Sequence, residues 1–127
     1  MKDNPVFNIS KRFTFDAAHH LTGVQEDHPC GKLHGHTYTV EVEVRGTKDL
    51  KTGWVIDYSE IKEAVKPLVN QLDHSYLNDI EDLKFTTAEE LSVWFWERVK
   101  PRLENLYRIS MIETPTSRCD FYGEYHD

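Results

Sequence analysis

Seven residues, Cys30-Gly-Lys-Leu-His34-Gly-His36, bring one thiol and two imidazoles together. These are side-chain types that bind zinc, through sulfur or through neutral ring nitrogen. Two residues of like parity on an extended chain share a face, so His34 and His36 can grip one ion from the same side. His19 supplies a third ligand if the strands carrying these residues pair as antiparallel neighbours. The end of one then lies beside the start of the other, with Cys30 on the connecting loop. Three imidazoles with an open fourth position are the arrangement of catalytic zinc. His20 and His28 compete for the third place, although the parity of His20 points it to the opposite face and His28 lies on the loop. Two further features carry possible chemistry. Asp73-His74 is either a helix-end cap with a surface imidazole or a proton-relay pair. Glu113 ends an apolar strand face, where it either reaches solvent or anchors a guanidine-like group through two parallel hydrogen bonds.

Hydropathy patterning places these residues on elements. Phe7, Ile9, Lys11, Phe13, Phe15, Ala17 and His19 alternate with polar neighbours and predict a long strand, irregular near Lys11. Residues 20–33 form a loop, broken by Gly23, Pro29 and Gly31. Tyr38, Val40, Val42 and Val44 alternate with Thr39, Glu41, Glu43 and Arg45 and predict a half-buried second strand. After a polar turn, Asp57 with Glu60 forms a capping box. It opens a helix striped with Ile61, Ala64, Val65, Leu68 and Leu72, which Pro67 kinks or breaks between Glu63 and Pro67. Thr86-Thr87-Ala88-Glu89-Glu90 opens a second helix that stops before Pro101. Trp94, Phe95 and Trp96 within it cannot all face one core, so part of that surface should meet another element or another subunit. Two short strands follow, Tyr107 to Glu113 and Cys119 to Tyr125, around the turn Thr114–Ser117. The order ββααββ predicts an α+β fold, four antiparallel strands with two helices on one face. The other sheet face needs cover, which assembly with further subunits would supply.

At 127 residues, 39% apolar and 12% aromatic, residues 1–127 are expected to form one domain with a substantial core. No apolar run approaches the roughly 20 residues of a membrane span, and Met1-Lys2-Asp3-Asn4-Pro5 lacks the apolar core of a secretory signal. A cytoplasmic protein without a membrane partner is expected. A net charge of −7 argues against a broad nucleic-acid surface, while leaving room for a small anionic substrate in a local basic pocket. Two cysteines are too few for a disulfide scaffold.

Taken in order, Phe15-Asp-Ala-Ala-His19, Cys30-x-x-x-His34-Gly-His36, Gly53-Trp-Val-Ile-Asp57, Leu72-Asp73-His74, Thr87-Ala-Glu89 and Glu113-Thr resemble the 6-pyruvoyl-tetrahydropterin synthase superfamily over nearly the whole chain. Within it the three-residue gap between Cys30 and His34 resembles the bacterial 6-carboxy-5,6,7,8-tetrahydropterin synthases of queuosine biosynthesis. The animal pyruvoyl synthases carry a longer gap. The resemblance implies a tunnelling fold in which trimers close a barrel and pair into a homohexamer, with active sites between subunits. It implies Zn2+ on His19, His34 and His36, and 7,8-dihydroneopterin triphosphate as substrate. The implied products are 6-carboxy-5,6,7,8-tetrahydropterin, acetaldehyde and triphosphate. It further implies Cys30 as general base, His74 oriented by Asp73 as relay, and Glu113 with Thr87 on the substrate. Cys30 as a fourth, site-closing zinc ligand is the alternative to the base. Lys11, Arg12 and Lys32 are the basic candidates for the triphosphate. Pyruvoyl-type synthesis on the same substrate is the rival activity, and a non-catalytic zinc-binding interaction module the more distant one.

Overall fold

The protein was analysed as a computed structural model that describes residues 4–126. Strand β1 (Val6–His19) pairs antiparallel with β2 (His34–Thr47) in one unbroken register from Val6↔Thr47 to His19↔His34. The irregularity expected near Lys11 is therefore absent. Helix α1 (Tyr58–Leu72) and helix α2 (Ala88–Val99) are separated by a two-residue strand, β3 (Ser75–Tyr76). Strands β4 (Leu106–Thr114) and β5 (Ser117–Phe121) complete a five-stranded sheet in the order β3-β1-β2-β4-β5. The last strand ends at Phe121 rather than reaching Tyr125.

The sheet is thus mixed, not the four-stranded antiparallel sheet expected. The additional strand has a local cause. His74 follows α1 in the left-handed region, φ 59°, and its N–H donates to the Asp16 carbonyl at 2.6 Å. That turn lays Ser75 and Tyr76 parallel beside Ala17 and Ala18 on the outer edge of β1.

Both helices cover one sheet face. Phe13, Phe15, Tyr38, Val40, Val42, Ile109 and Met111 from the strands pack with Ile61, Val65, Leu91, Trp94 and Phe95 from the helices into a single buried cluster. Of the kink or break expected near Glu63–Pro67, the break does not occur: α1 runs as one helix from Tyr58 to Leu72 with Pro67 inside it. Proline removes the hydrogen bond to the carbonyl four residues earlier, and Arg102 Nη1 takes over that Glu63 carbonyl at 3.3 Å. Asp57 caps α1 through the Ser59 N–H, and Thr87 caps α2 through the Glu90 N–H. Trp94 and Phe95 are buried; Trp96 turns to β5 and packs edge-on against Phe121. It also covers Gly123, whose positive φ and contact with the indole leave no room for a Cβ. The chain itself therefore covers the third aromatic. Among the described residues no helix is long and apolar enough to cross a membrane.

The sheet face away from the helices carries an ionic network. Glu41, only 6% exposed, accepts from Arg108 Nη2 at 2.6 Å and from Arg12 Nε at 2.5 Å, and Arg108 Nε donates to Glu43 at 2.7 Å. Burial pushes the Glu41 carboxyl up, but the bonds from Arg108 and Arg12 outweigh it and hold it below its ordinary value. Removing one partner of a buried pair leaves an uncompensated charge, which costs about 3–5 kcal/mol. Arg108→Ala is expected to lower stability in urea by that amount at neutral pH. A carboxylate with a depressed folded pKa contributes fully above its unfolded value and loses that contribution as pH falls through the folded one. The deficit of the variant should therefore shrink as pH drops below the ordinary value of 4.5, and a deficit independent of pH there would remove the ion pair from the account.

Candidate active site

The antiparallel register sets His19 against His34 and Ala17 against His36 at one end of the β1–β2 pair. Because Phe15, Ala17 and His19 share a face with Tyr38, the three imidazoles converge beneath the helices. Their ring centroids lie 4.5 to 5.3 Å apart, and their nearest ring nitrogens all fall within 4.8 Å of one another. Tyr38 forms the floor, its ring edge-on to both His19 and His36.

For two of the ligand candidates, His19 and His34, the second ring nitrogen fixes the orientation. His19 Nδ1 lies 2.9 Å from the Thr86 carbonyl and 3.1 Å from the Thr86 hydroxyl. His34 Nδ1 lies 2.7 Å from the Lys32 carbonyl. A ring that donates from Nδ1 to a carbonyl presents an unprotonated Nε2, the tautomer a metal ligand requires. His19 Nε2 is buried and makes no hydrogen bond. Burial, with His34 and His36 nearby, lowers the His19 pKa against the opposing pull of the Thr86 carbonyl and Glu113, which favours the neutral ring. An orphaned buried nitrogen facing two further imidazoles is a poor hydrogen-bonding arrangement and a good ligand set. The residues present fit a metal ion. His20 instead meets the Tyr76 hydroxyl at 2.5 Å, and His28 Nδ1 accepts the Cys30 N–H, so neither joins the cluster.

Glu113 belongs to the same site. Its Oε1 is 3.6 Å from both His19 Nε2 and His36 Nε2. The β4–β5 register passes from Ile112↔Arg118 to Thr114↔Ser117, leaving Glu113 as an extra, bulged residue. Such bulges re-aim side chains beside functional sites.

Asp73 and His74 also form a pair, with His74 Nδ1 3.0 Å from Asp73 Oδ2. Asp73 Oδ1 accepts the Asp16 N–H at 2.9 Å, which is the leading cause of its lowered pKa. His74 and His36 line one cleft, together with Gly35 and Thr37. Cys30 lies on a single 3-10 turn, Pro29–Gly31, partly exposed. Its thiol is not in the ligating cluster and lines none of the clefts that hold His36, His74 or Glu113.

Thr87 serves as the α2 cap, while its neighbour Thr86, which sequence patterning did not single out, orients His19. Arg118 was likewise missed; it lines the cleft that His36 and Glu113 share. A threonine beside a helix cap and an arginine on a short strand carry no distinguishing sequence signal.

The fold superposes on the solved 6-pyruvoyl tetrahydropterin synthase of Caenorhabditis elegans with a TM-score of 0.87 at 26% identity, covering 98% of this chain and 100% of that one. Among characterised relatives, the 6-pyruvoyl tetrahydrobiopterin synthase of Drosophila melanogaster is 35% identical over 98% of this chain and 84% of its own length. The 6-carboxy-5,6,7,8-tetrahydropterin synthase of a Synechocystis strain is 35% identical over 91% of this chain and 92% of its own. With residues 8–124 also matching the family model described as 6-pyruvoyl tetrahydropterin synthase, the chain belongs to that family of pterin synthases.

Proposed function

We propose that this chain converts 7,8-dihydroneopterin triphosphate and one water to 6-carboxy-5,6,7,8-tetrahydropterin, acetaldehyde and triphosphate, with Zn2+ held by His19, His34 and His36. The convergence of three imidazoles, one with an orphaned buried nitrogen, beside the bulged carboxylate of Glu113 carries this reading. The choice of the carboxy product over the pyruvoyl one rests on the three-residue gap between Cys30 and His34. When bound, zinc supplies Lewis-acid polarisation of the substrate's side-chain hydroxyls.

The protein's own groups divide the remaining work. Glu113 holds the amino-pyrimidine end of the pterin, whose guanidine-like donors match a carboxylate, and Thr87 lies in the same stretch as the Thr86 that steadies His19. Cys30 takes a side-chain proton from the substrate. His74, steadied at Nδ1 by Asp73, keeps Nε2 free to return protons. Asp73 is itself fixed by the β1 backbone, so the relay sits at a set place relative to His36. Cys30 lines none of the clefts that hold His36, His74 or Glu113, which suits a homohexamer of two trimers with sites shared between subunits. In that assembly residues 1–127 form one synthase domain, acting in the cytoplasm in queuosine biosynthesis.

Mass spectrometry of the products formed from 7,8-dihydroneopterin triphosphate by the zinc-loaded protein tests the proposal. A carboxy-tetrahydropterin with acetaldehyde is expected. A pyruvoyl product would overturn the assignment of product while keeping the site, and unreacted substrate on zinc-loaded protein would leave a non-catalytic module.

A further inference from the structure

The protein carries net charge −7, so a polyanionic substrate needs a local concentration of donors. A cleft of about 980 Å3 has His36 and Glu113 in its wall and runs past the β4–β5 turn to the sheet face that carries the ionic network. Apart from Glu113 its charged lining is two arginines, Arg12 and Arg118, and five hydroxyl side chains join them, among them Thr37, Thr116 and Ser117.

The two guanidinium groups flank one carboxylate. Arg12 Nε donates to Glu41 Oε2 at 2.5 Å, and Arg118 Nη2 reaches Glu41 Oε1 at 3.5 Å. Arg118 Nε is also fixed on Asp120 Oδ1 at 2.8 Å. Glu41 is itself held by the buried Arg108, so both arginines are anchored from a rigid layer. Their side chains nonetheless remain 62% and 41% exposed. Among the described residues the Nη groups of Arg12 have no hydrogen-bond partner. Secured through Nε, Arg12 keeps a planar edge of N–H donors for a phosphate, whereas Arg118, whose Nη2 also meets Ser110 Oγ at 3.2 Å, has Nη1 left to offer. Lys11 and Lys32 do not line this cleft, and the Lys11 ammonium lies over the Phe13 ring.

We propose that Arg12 and Arg118 form a clamp for a polyphosphate, the triphosphate of the substrate, in the cleft whose wall also holds Glu113 and His36. The identity of the ligand rests on the proposed function; the clamp itself rests on the donor lining. The pterin then lies toward Glu113 and the imidazoles, and the leaving group toward the arginines.

Inorganic tripolyphosphate, titrated calorimetrically into the full-length zinc-loaded protein, is the direct probe. Binding is expected, and Arg12→Gln and Arg118→Gln should each weaken it about ten- to a hundredfold, the range for one lost charge-assisted hydrogen bond. Zinc content should stay at the wild-type value, whereas the unfolding midpoint is expected to fall in both variants, because each arginine contacts the buried Glu41. KM for the pterin triphosphate should rise by a similar factor, whereas binding of dephosphorylated 7,8-dihydroneopterin should not change. Where a glutamine variant fails to fold, lysine at that position keeps the charge beside Glu41 but loses the planar fork, and weakened binding there supports the clamp equally. No tripolyphosphate binding by the wild type, or undiminished binding by both variants, overturns it. Arginine-dependent binding by a protein that leaves the pterin triphosphate unreacted would keep the clamp and remove the proposed function. Turnover with arginine-independent binding would do the reverse.

Discussion

His19→Ala is expected to strip the metal from the site and abolish turnover, with only a modest loss of stability. His19 is 1% exposed, the most deeply set of the three imidazoles, and its Nε2 makes no hydrogen bond. Losing even an outer partner of a metal ligand costs 10- to about 100-fold in affinity. Losing the ligand itself should exceed about a hundredfold, because His34 and His36 alone hold an ion weakly from one strand. The folding cost is of another kind. Without the ring the Thr86 carbonyl, now 2.9 Å from Nδ1, is left short of a donor, a loss of about 1–3 kcal/mol. Metal per chain by atomic emission after dialysis, together with urea unfolding of the metal-free protein, separates the two effects. Wild-type metal content in the variant would remove His19 from the ligand set.

The site was legible where it follows from strand period and register. Alternation in Phe13–His19 and Tyr38–Val44 fixes both the face of each residue and the antiparallel partner, and so the meeting of His19 with His34. The two helices and their caps at Asp57 and Thr87 follow from equally local signals. What escaped depends on contacts between residues far apart in sequence. Arg102 rescues the carbonyl freed by Pro67 from 39 residues away. Glu41 and Arg108 pattern as solvent-facing positions, yet they bury each other across β2 and β4 at 6% and 7% exposure. The strand β3 exists because His74 adopts a left-handed turn and bonds Asp16, which no two-residue pattern announces. Glu113 reads from sequence as the last residue of an apolar strand face; only the register shift shows that it is a bulge aimed at the imidazoles.

Cys30→Ala is expected to lose turnover while keeping metal and fold, and it separates the two roles left open for this thiol. Cys30 is tied to its surroundings by backbone alone: its N–H donates to His28 Nδ1, and its carbonyl accepts the Leu21 N–H at 2.7 Å. Alanine preserves both bonds. The thiol itself stands outside the group of mutually close ligating atoms, so nothing in the metal's retention depends on it. A base lost from proton transfer typically costs about 10²–10⁴-fold in rate, with binding of the substrate little changed because the interaction belongs to the transition state. Turnover should therefore fall within that range in kcat, with KM and zinc content at wild-type values. A fourth ligand behaves otherwise: zinc affinity and thermal stability would fall together with activity, since a closed site of one thiolate and three imidazoles contributes to folding. Zinc loss from the alanine variant would thus transfer Cys30 from the chemistry to the metal. It would also require the Pro29–Gly31 turn to move toward His34, because the conformation described here keeps the thiol out of the cluster.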